Sequence, residues 1–426
     1  MTEFQAGFGR VDITPAVGCR LIGYGNRAGG SVGIHDSLLA RAMVIESAGQ
    51  RWALVSCELC SLSAATVQKS RTAVERRTGI APEHLFLAAT HTHSGPHDRD
   101  TGSWERPLDE LIADAVQEAV GYLRPAHIAS GYGMLYGYSI NRRWIDRPVD
   151  PGLAVIRIDD STGKPLGLLA NFACHAVVMG SDNLHISADW PGYACARLEA
   201  ELGSDTTCLF FQGGAGNINP LVAGVRQHLR GVQPVTSIGN ISTYYGSNDH
   251  GHIYNIGDRR GGTFDEVAEL GNAFVVEAMH VYRGLQPTPP GRAPWSKQIV
   301  VQAVRGPEEP PPGPSSRSPT VTDYEELLAA GIPAEIMLFG LGDVLLVGQP
   351  GEVFAETALK LRIWLRTLGY ATPILVSYAN GWLSYLPEPA DFPEGGYEVS
   401  RAYGMGTSRY FQKRVREALE RVIGPM

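Results

Sequence analysis

Apolar positions along the chain form two kinds of pattern that alternate in order. Short apolar runs predict buried strands at 39–46, 52–57, 85–89, 153–158 and 166–172. Between such runs, apolar residues recur at helical spacing over 108–123, and a helix is also predicted over 64–78. This strand–helix alternation is typical of an α/β fold, in which mixed β-sheets are layered against flanking helices.

The last third of the chain continues the alternation after two irregular stretches. Residues 222–262 are rich in Gly, Ser, Asn and His, and we expect them to form a lid, a binding loop or an oligomer contact. The proline run in 306–318 predicts a solvated connector. A hairpin is predicted over 335–347, followed by helices over 353–368 and 407–423.

Composition and charge narrow the class of protein. The chain has 426 residues, of which 44% are hydrophobic and 19% charged, as in core-forming globular proteins. A net charge of −8 argues against nucleic-acid binding, and no apolar run reaches the length of a transmembrane span. The N-terminus lacks the basic and apolar regions of a signal peptide, which favours a cytoplasmic location. The oligomeric state stays open.

Two of the six cysteines form a Cys-x-x-Cys pair, Cys57 and Cys60. No second pair of this kind exists to complete a zinc ribbon. The pair closes an apolar run, so buried free thiols are the expected state, with a redox or zinc-ribbon role as the alternative.

The strongest chemical signal is the His-x-His pair at His91 and His93, which follows the apolar run 85–89. If the strand continues through 90–93, residues two apart point to the same face, and both imidazoles lie together at a strand end. Neutral imidazole is a common zinc ligand. Packing or hydrogen bonding is the alternative explanation for a pair of this kind.

His175 and Glu352 also follow apolar strands and begin loops, where open α/β sheets place their sites. Two histidines, one glutamate and a water molecule make a catalytic zinc set. A hydrogen-bonded core histidine and a carboxylate at a helix N-terminus are the respective alternatives. The recurrence of this context at His91/His93, His175 and Glu352 favours a shared metal site.

The motifs together resemble the catalytic domain of the neutral/alkaline, non-lysosomal ceramidase family. The resemblance runs in order through nearly the whole chain. The matching stretches are GRVDITP at 9–15, ATHTHSGP at 89–96, INR at 140–142, NFACH at 171–175, GGAGNINP at 213–220, PGE at 350–352 and YAN at 378–380, continuing through Tyr385 to Tyr397.

The resemblance implies an α/β catalytic domain over 1–426 with one buried zinc ion that hydrolyses an amide bond. It implies the zinc ligands His91, His175, Glu352 and Tyr385. It further implies that His93 acts beside the reacting carbonyl as the base for a zinc-activated water, and that Arg142 and Tyr397 hold the substrate and its developing oxyanion. Whether a second metal binds is left open.

Two departures from the family bear on the substrate. The chain as given shows neither the signal sequence nor the C-terminal β-sandwich domain of secreted ceramidases, and its 222–262 stretch differs from the expected loops. Ceramidase-like hydrolysis of an N-acyl or lipid amide is the leading hypothesis for the activity. The alternative is hydrolysis of a smaller, more polar amide or ester, and we expect the natural substrate to be of this second kind. A non-catalytic, metal-stabilised binding protein is the hypothesis from another class.

Overall fold

The computed structural model describes residues 4–144, 147–230, 261–303 and 332–423. Most of the irregular stretch predicted over 222–262, including Tyr244, Tyr245, Asn248, Asp249, His250 and His252, lies outside these residues, as does the 306–318 connector. The beginning of that stretch is described and forms a helix over Ala223–Arg230, so the prediction of irregular structure is wrong there.

Helices lie close to the predicted positions at 64–78, 108–123, 353–368 and 407–423, whereas the helices at Ala223–Arg230 and Tyr397–Arg401 were not predicted. The helices are α1 (Ala64–Thr78), α2 (Leu108–Gly121), α3 (Asp189–Leu202), α4 (Ala223–Arg230), α5 (Phe264–Gly284), α6 (Ala355–Thr367), α7 (Tyr397–Arg401) and α8 (Thr407–Ile423). The hydroxyl of Ser63 caps α1 by accepting from the Thr66 N–H, and Gly79 ends the helix in a left-handed conformation. Three short 3₁₀ helices complete the set in the described residues, at Pro82–His84, Thr101–Ser103 and Pro389–Glu394.

Eight strands form one large mixed sheet. In spatial order they are β11 (Thr207–Gln212), β9 (Pro165–Phe172), β8 (Gly152–Asp160), β6 (Arg124–Met134), β1 (Phe4–Asp12), β3 (Leu39–Ser47), β4 (Gln50–Cys57) and β5 (Leu85–Ala89). The pairs β11/β9 and β4/β5 are parallel, and the remaining neighbours are antiparallel.

A second sheet has four strands, and three ribbons have two strands each. The four-stranded sheet runs β13 (Trp295–Ala303), β14 (Ile332–Leu341), β15 (Val344–Gly348) and β17 (Thr372–Val376). The ribbons pair β10 (His185–Ile186) with β2 (Gly33–Ile34), β12 (Ile218–Pro220) with β7 (Ser139–Asn141), and β16 (Glu352–Val353) with β18 (Tyr385–Leu386).

The apolar side chains divide the molecule into four layers, helices–sheet–sheet–helices. Helices α1 and α2 pack on one half of the outer face of the large sheet, and α3 and α5 pack on the other half. Its inner face packs against the four-stranded sheet through side chains such as Phe86, Phe211 and Phe339. Helices α6 and α8 cover the far side of the smaller sheet. The predicted α/β layered fold with mixed sheets is therefore confirmed.

The loops that leave β5, β9 and β15 meet next to one another, and the two ribbons β7/β12 and β16/β18 lie beside them. Main-chain hydrogen bonds hold these loops to their neighbours, such as Ala89 N–H to Tyr378 O in the loop after β17 at 3.2 Å and His175 N–H to Ile218 O in β12 at 3.1 Å. No helix in the described part of the chain is long and apolar enough to cross a membrane.

Candidate metal centre

His91 and His93 are brought together by a turn and not by a strand. Strand β5 ends at Ala89, and His91 adopts a left-handed backbone conformation with φ of 71°. The prediction that the strand continues through 90–93 is therefore wrong. The turn is fixed by main-chain bonds from His91 N–H to Leu59 O (2.9 Å) and from His93 N–H to Ala176 O (3.3 Å). A non-glycine residue at positive φ costs free energy and marks a site that its surroundings hold in place.

Three side chains converge behind this turn. The Nε2 of His175 lies 3.1 Å from Oε2 of Glu352, and the Nε2 of His91 lies 3.6 Å from the same oxygen. All three ligand atoms lie within 4.8 Å of one another, and all three residues are buried. The structure thus brings together three of the four residues implied as zinc ligands.

Backbone carbonyls assign the tautomer of both imidazoles. The Nδ1 of His91 lies 2.7 Å from the Cys60 carbonyl, and that of His175 lies 2.6 Å from the Ala215 carbonyl. A carbonyl oxygen accepts only, so each Nδ1 carries the proton and each Nε2 presents a lone pair to the centre. This arrangement orients metal-ligating histidines in proteins.

The spacing of the three ligand atoms fits a tetrahedral zinc ion. A tetrahedron with zinc–ligand bonds of about 2.0–2.1 Å has edges of roughly 3.4 Å. The distances from Oε2 of Glu352 to the Nε2 atoms of His175 and His91, which would be two of these edges, are 3.1 and 3.6 Å. The donor set of two neutral imidazoles and one carboxylate also matches zinc chemistry.

Burial controls the charge of the centre. Burial lowers the pKa of His91 to about 3 and holds the pKa of His175 well below its ordinary value. Burial raises the pKa of the Glu352 carboxyl, against the opposing effects of His91 and Arg142. The imidazoles are therefore neutral at pH 7, as ligands must be, and a divalent cation would favour the ionised carboxylate beside them.

Tyr385 reaches the centre through the β16/β18 ribbon. Glu352 and Tyr385 are register partners in this parallel ribbon, and the Tyr385 hydroxyl hydrogen-bonds the Glu352 carboxylate. Nη2 of Arg142 donates to the same hydroxyl at 3.0 Å. Burial holds the pKa of Tyr385 well above its ordinary value. The structure therefore places the implied fourth ligand next to the third.

Arg142 is completely buried, and its guanidinium is held from several sides. Nε donates to Glu398 at 2.8 Å, Nη1 donates to Asn219 at 3.1 Å, and Nη2 donates to the Gly216 carbonyl at 2.8 Å. Nη1 also lies 3.3 Å from the His175 Nε2. Arg142 thus sits at the edge of the centre with its orientation set by the protein.

Tyr397 lies at the start of α7 with its ring 5.5 Å from that of Tyr385, edge to face. Burial raises its pKa, and the charge of Glu352 acts in the same direction. The second implied tyrosine is therefore part of the same cluster of side chains.

His93 stands beside the three ligand atoms. Its Nε2 lies 3.0 Å from the His91 Nε2, while its Nδ1 has no hydrogen-bond partner among the described residues. Burial holds the pKa of His93 well below its ordinary value. Gly23, at φ of 101°, packs directly on this ring, since a Cβ there would lie 2.3 Å from the His93 Cγ. His93 is therefore held in place with its Nε2 directed towards the ligand atoms.

Comparison with known proteins identifies the family. Residues 4–286, well over half of the chain, match the family model described as neutral/alkaline non-lysosomal ceramidase, N-terminal. The chain belongs to the neutral/alkaline non-lysosomal ceramidase family.

Relatives in this family differ in how much of their length the chain spans. A neutral ceramidase of Mycobacterium tuberculosis is 24% identical over 486 residues, which cover 92% of this chain and 73% of the relative. Those of Pseudomonas aeruginosa and Dictyostelium discoideum (neutral ceramidase B) are 29% and 28% identical over 51% and 52% of this chain. The chain spans little more than a third of these two relatives, 37% and 36%.

Solved ceramidase structures share the fold. The neutral ceramidase from Pseudomonas aeruginosa matches 99% of this chain and 74% of its own length with a TM-score of 0.76 at 22% identity. A ceramidase complexed with C2 matches with a TM-score of 0.75 at 21% identity. At this identity the comparison establishes the fold.

Three residues of this ceramidase-family site carried no role in the sequence analysis. The Tyr378 ring stacks on His91 at 4.0 Å, and its hydroxyl donates to Glu352 at 3.3 Å. Glu398 anchors Arg142, and the Cys60 carbonyl orients His91. Tyr378 lies inside a motif that matches the family, and Glu398 directly follows Tyr397. Their positions in or beside these stretches are the sequence signal from which their place in the site could have been predicted. All six cysteines are buried free thiols, which confirms the prediction made for Cys57 and Cys60.

Proposed function

We propose that this protein is a zinc-dependent hydrolase that cleaves the amide bond of an N-acyl substrate of the ceramide type. The observation that carries the proposal is the buried set of His91, His175 and Glu352, with ligand atoms at tetrahedral spacing and both histidine tautomers set by carbonyls. Membership of the ceramidase family indicates the bond that is cleaved.

Tyr385 completes the proposed ligand set. It is the register partner of Glu352, and its hydroxyl is already held by Arg142 at 3.0 Å. A zinc ion bound by these four residues would polarise the substrate carbonyl and lower the pKa of the attacking water.

His93 is the proposed proton acceptor. Burial keeps its imidazole neutral at pH 7, and its position beside the ligand atoms puts it within reach of a water molecule that attacks at the centre. The same ring can return the proton to the leaving amine, as general acid–base catalysis of amide cleavage requires.

Arg142 and Tyr397 are the proposed stabilisers of the developing oxyanion. Arg142 is held by Glu398 and Asn219 with its guanidinium 3.3 Å from the His175 Nε2, which brings a fixed positive charge to the edge of the centre. Tyr397 lies against Tyr385 and brings a second hydroxyl to the same cluster.

The test is metal analysis combined with turnover on one preparation of the purified protein. We expect about one zinc ion per chain, release of carboxylate from an N-acyl-sphingosine, loss of turnover on chelation and recovery on adding zinc. The panel should also hold short polar amides and esters, which separate the leading substrate class from the smaller, more polar one. A zinc-loaded, folded protein that hydrolyses none of them would instead support a metal-stabilised binding protein.

A further inference from the structure

Trp382 connects the metal centre to the surface. Its ring lies 6.0 Å from that of His91 and 5.9 Å from that of Tyr378, and it is nearly parallel to both. The rings of His91 and Tyr378 are buried, whereas Trp382 is 36% exposed. Trp382 is therefore an apolar surface in direct contact with the innermost part of the site.

The segment that carries Trp382 is held in an unusual conformation. Tyr378, Asn380 and Ser384 all have positive φ, between 56° and 60°, and Gly381 has φ of 150°. Several such conformations within one short segment cost free energy, and the surrounding structure must maintain them. The Asn380 N–H donates to the Leu87 carbonyl at 2.7 Å, and its side-chain oxygen accepts from the Leu87 N–H at 2.9 Å, which fixes the segment on β5.

Trp382 also lines an open groove of about 190 Å³ on the protein surface. Helix α1, strands β13 and β14 and the loop after β15 form the other walls. Its apolar lining is contributed by Trp382, Val67, Val300, Ile332, Pro350 and Leu383. Val300 is 61% exposed, so this groove leaves a large aliphatic side chain in contact with solvent.

The two charged side chains of the groove are paired with each other. Arg71 and Glu335 bind each other through two hydrogen bonds of 2.5 Å, and Gln298 donates to Glu335 at 2.7 Å. Asn380 is committed to the backbone of β5. The lining therefore offers no uncompensated charge for a charged ligand, and it favours an aliphatic one.

We infer that this groove binds the aliphatic chain of the substrate and that Trp382 is the residue that determines preference for chain length. The inference rests on the proposed function, since it assumes that the scissile amide lies at the metal centre. Trp382 touches both the centre and the groove, so a chain attached to that amide can continue along its ring. Each methylene buried there contributes about 0.8 kcal/mol, which corresponds to roughly fourfold in affinity.

The experiment uses two matched series on the full zinc-loaded chain. The first is kcat/KM for N-acyl amides of one amine, with acyl groups from acetyl to palmitoyl. The second is equilibrium binding of the corresponding carboxylic acids, which reports on the groove without requiring turnover. The variants are Trp382→Ala, Trp382→Phe and Val300→Asn, with Val276→Asn on α5 as the matched control, since Val276 is 71% exposed and does not line the groove.

We expect both quantities to rise with chain length in the unmodified protein. Trp382→Ala and Val300→Asn should lower them for long chains by about 10- to 200-fold while short chains change far less. Trp382→Phe should restore part of the loss, and Val276→Asn should follow the unmodified protein. Zinc content should be equal in the Val300→Asn and Val276→Asn proteins.

The two proposals fail in different ways. The proposal that the groove binds the aliphatic chain would be wrong if amides were hydrolysed with no dependence on chain length, or if Val300→Asn and Val276→Asn behaved equally. The proposed hydrolase activity would not be affected by either result. The proposed hydrolase activity would be wrong if no amide were hydrolysed. The proposal for the groove would still hold if carboxylic acids bound more tightly with increasing chain length and this binding depended on Trp382.

Discussion

Each residue at the metal centre has its protonation state set by its immediate surroundings. Carbonyl acceptors place the Nδ1 protons of His91 and His175, and burial keeps both rings neutral. His93 has a different environment, because its Nδ1 has no partner among the described residues. This difference supports the proposal that His91 and His175 bind the metal while His93 transfers the proton.

Removal of one ligand should empty the metal site. We expect His175→Ala and Glu352→Ala each to lose most of the bound zinc, because each substitution removes one of the three donors that converge at the centre, and zinc affinity depends on the number and identity of its ligands. Metal content by inductively coupled plasma mass spectrometry is the measurement. His280→Ala, at an exposed position on α5, is the control and should keep its zinc. Stoichiometric zinc in both ligand variants would show that the metal binds elsewhere.

His93→Ala should separate metal binding from catalysis. We expect zinc to be retained and kcat to fall by about 10²–10⁴-fold, the usual contribution of a general acid–base group. The measurement is kcat together with zinc content, compared with His91→Ala, which should lose both. Equal loss of zinc in the two variants would show that metal binding and proton transfer are wrongly assigned between His91 and His93.

At the scale of elements, short ribbons deliver residues that are far apart in the sequence. The β16/β18 ribbon brings Tyr385 to Glu352, and the β7/β12 ribbon brings Arg142 beside the 213–220 loop. The close approach of that loop requires Gly216, because a Cβ there would lie 2.5 Å from the Glu352 carbonyl oxygen. Strands of two or three residues are too short to leave a hydrophobic pattern from which they could be predicted.

The longer elements, in contrast, could be predicted from hydrophobic period alone. Helix α1 spans the predicted residues Ala64–Thr78, and α8 spans the predicted Thr407–Ile423. The conformation of His91 could not be predicted, because its left-handed backbone is held by the distant Leu59 carbonyl. The contact of Glu398 with Arg142 joins residues 256 positions apart, so local pattern carries no trace of it.

The N-terminus of α1 provides a test of stability against pH. Burial acts to raise the pKa of Asp98, but hydrogen bonds from His97, Thr66 and Ser63 outweigh it and lower the pKa to about 2. One of these is the Ser63 N–H to Oδ2 at 2.6 Å. A carboxyl with a lowered pKa stabilises the fold above its unfolded pKa of about 3.9, and this contribution is lost as the pH falls towards 2.

We therefore expect Asp98→Asn to lower the free energy of unfolding by about 2 kcal/mol at pH 7. The difference from the unmodified protein should shrink as the pH falls from about 5 to about 2, where Asp98 becomes protonated as well. Urea unfolding at several pH values measures both quantities. A difference that stays constant over this range would show that the hydrogen-bonded charge is not the cause.

At the scale of the whole molecule, the two sheets pack face to face, and the groove beside Trp382 opens where α1 meets the smaller sheet. The prediction of a smaller, more polar substrate drew part of its support from the 222–262 stretch, most of which lies outside the described residues. The apolar lining of the groove argues for an aliphatic chain instead. The chain-length series distinguishes the two substrates.

One buried ion pair links the outer helical layer to the smaller sheet. Arg71 of α1 binds Glu335 of β14 through both Nη atoms at 2.5 Å, and both side chains are buried. The two side chains line the open groove but are only 4% and 10% exposed, so removal of either partner would leave the charge of the other poorly compensated. Breaking a buried pair in this way costs about 3–5 kcal/mol, far more than the pair contributes relative to apolar replacements.

We expect Arg71→Met and Glu335→Leu each to lower the free energy of unfolding by about 3–5 kcal/mol, and the double variant to be much more stable than the sum of the two predicts. Denaturant unfolding of the four proteins gives this coupling directly. Arg76→Met is the control on the same helix, since Arg76 is exposed and its pair with Glu110 should contribute less than about 1 kcal/mol. Additive effects of the two buried substitutions would mean that the layers are held together by apolar packing alone, with no part played by this ion pair.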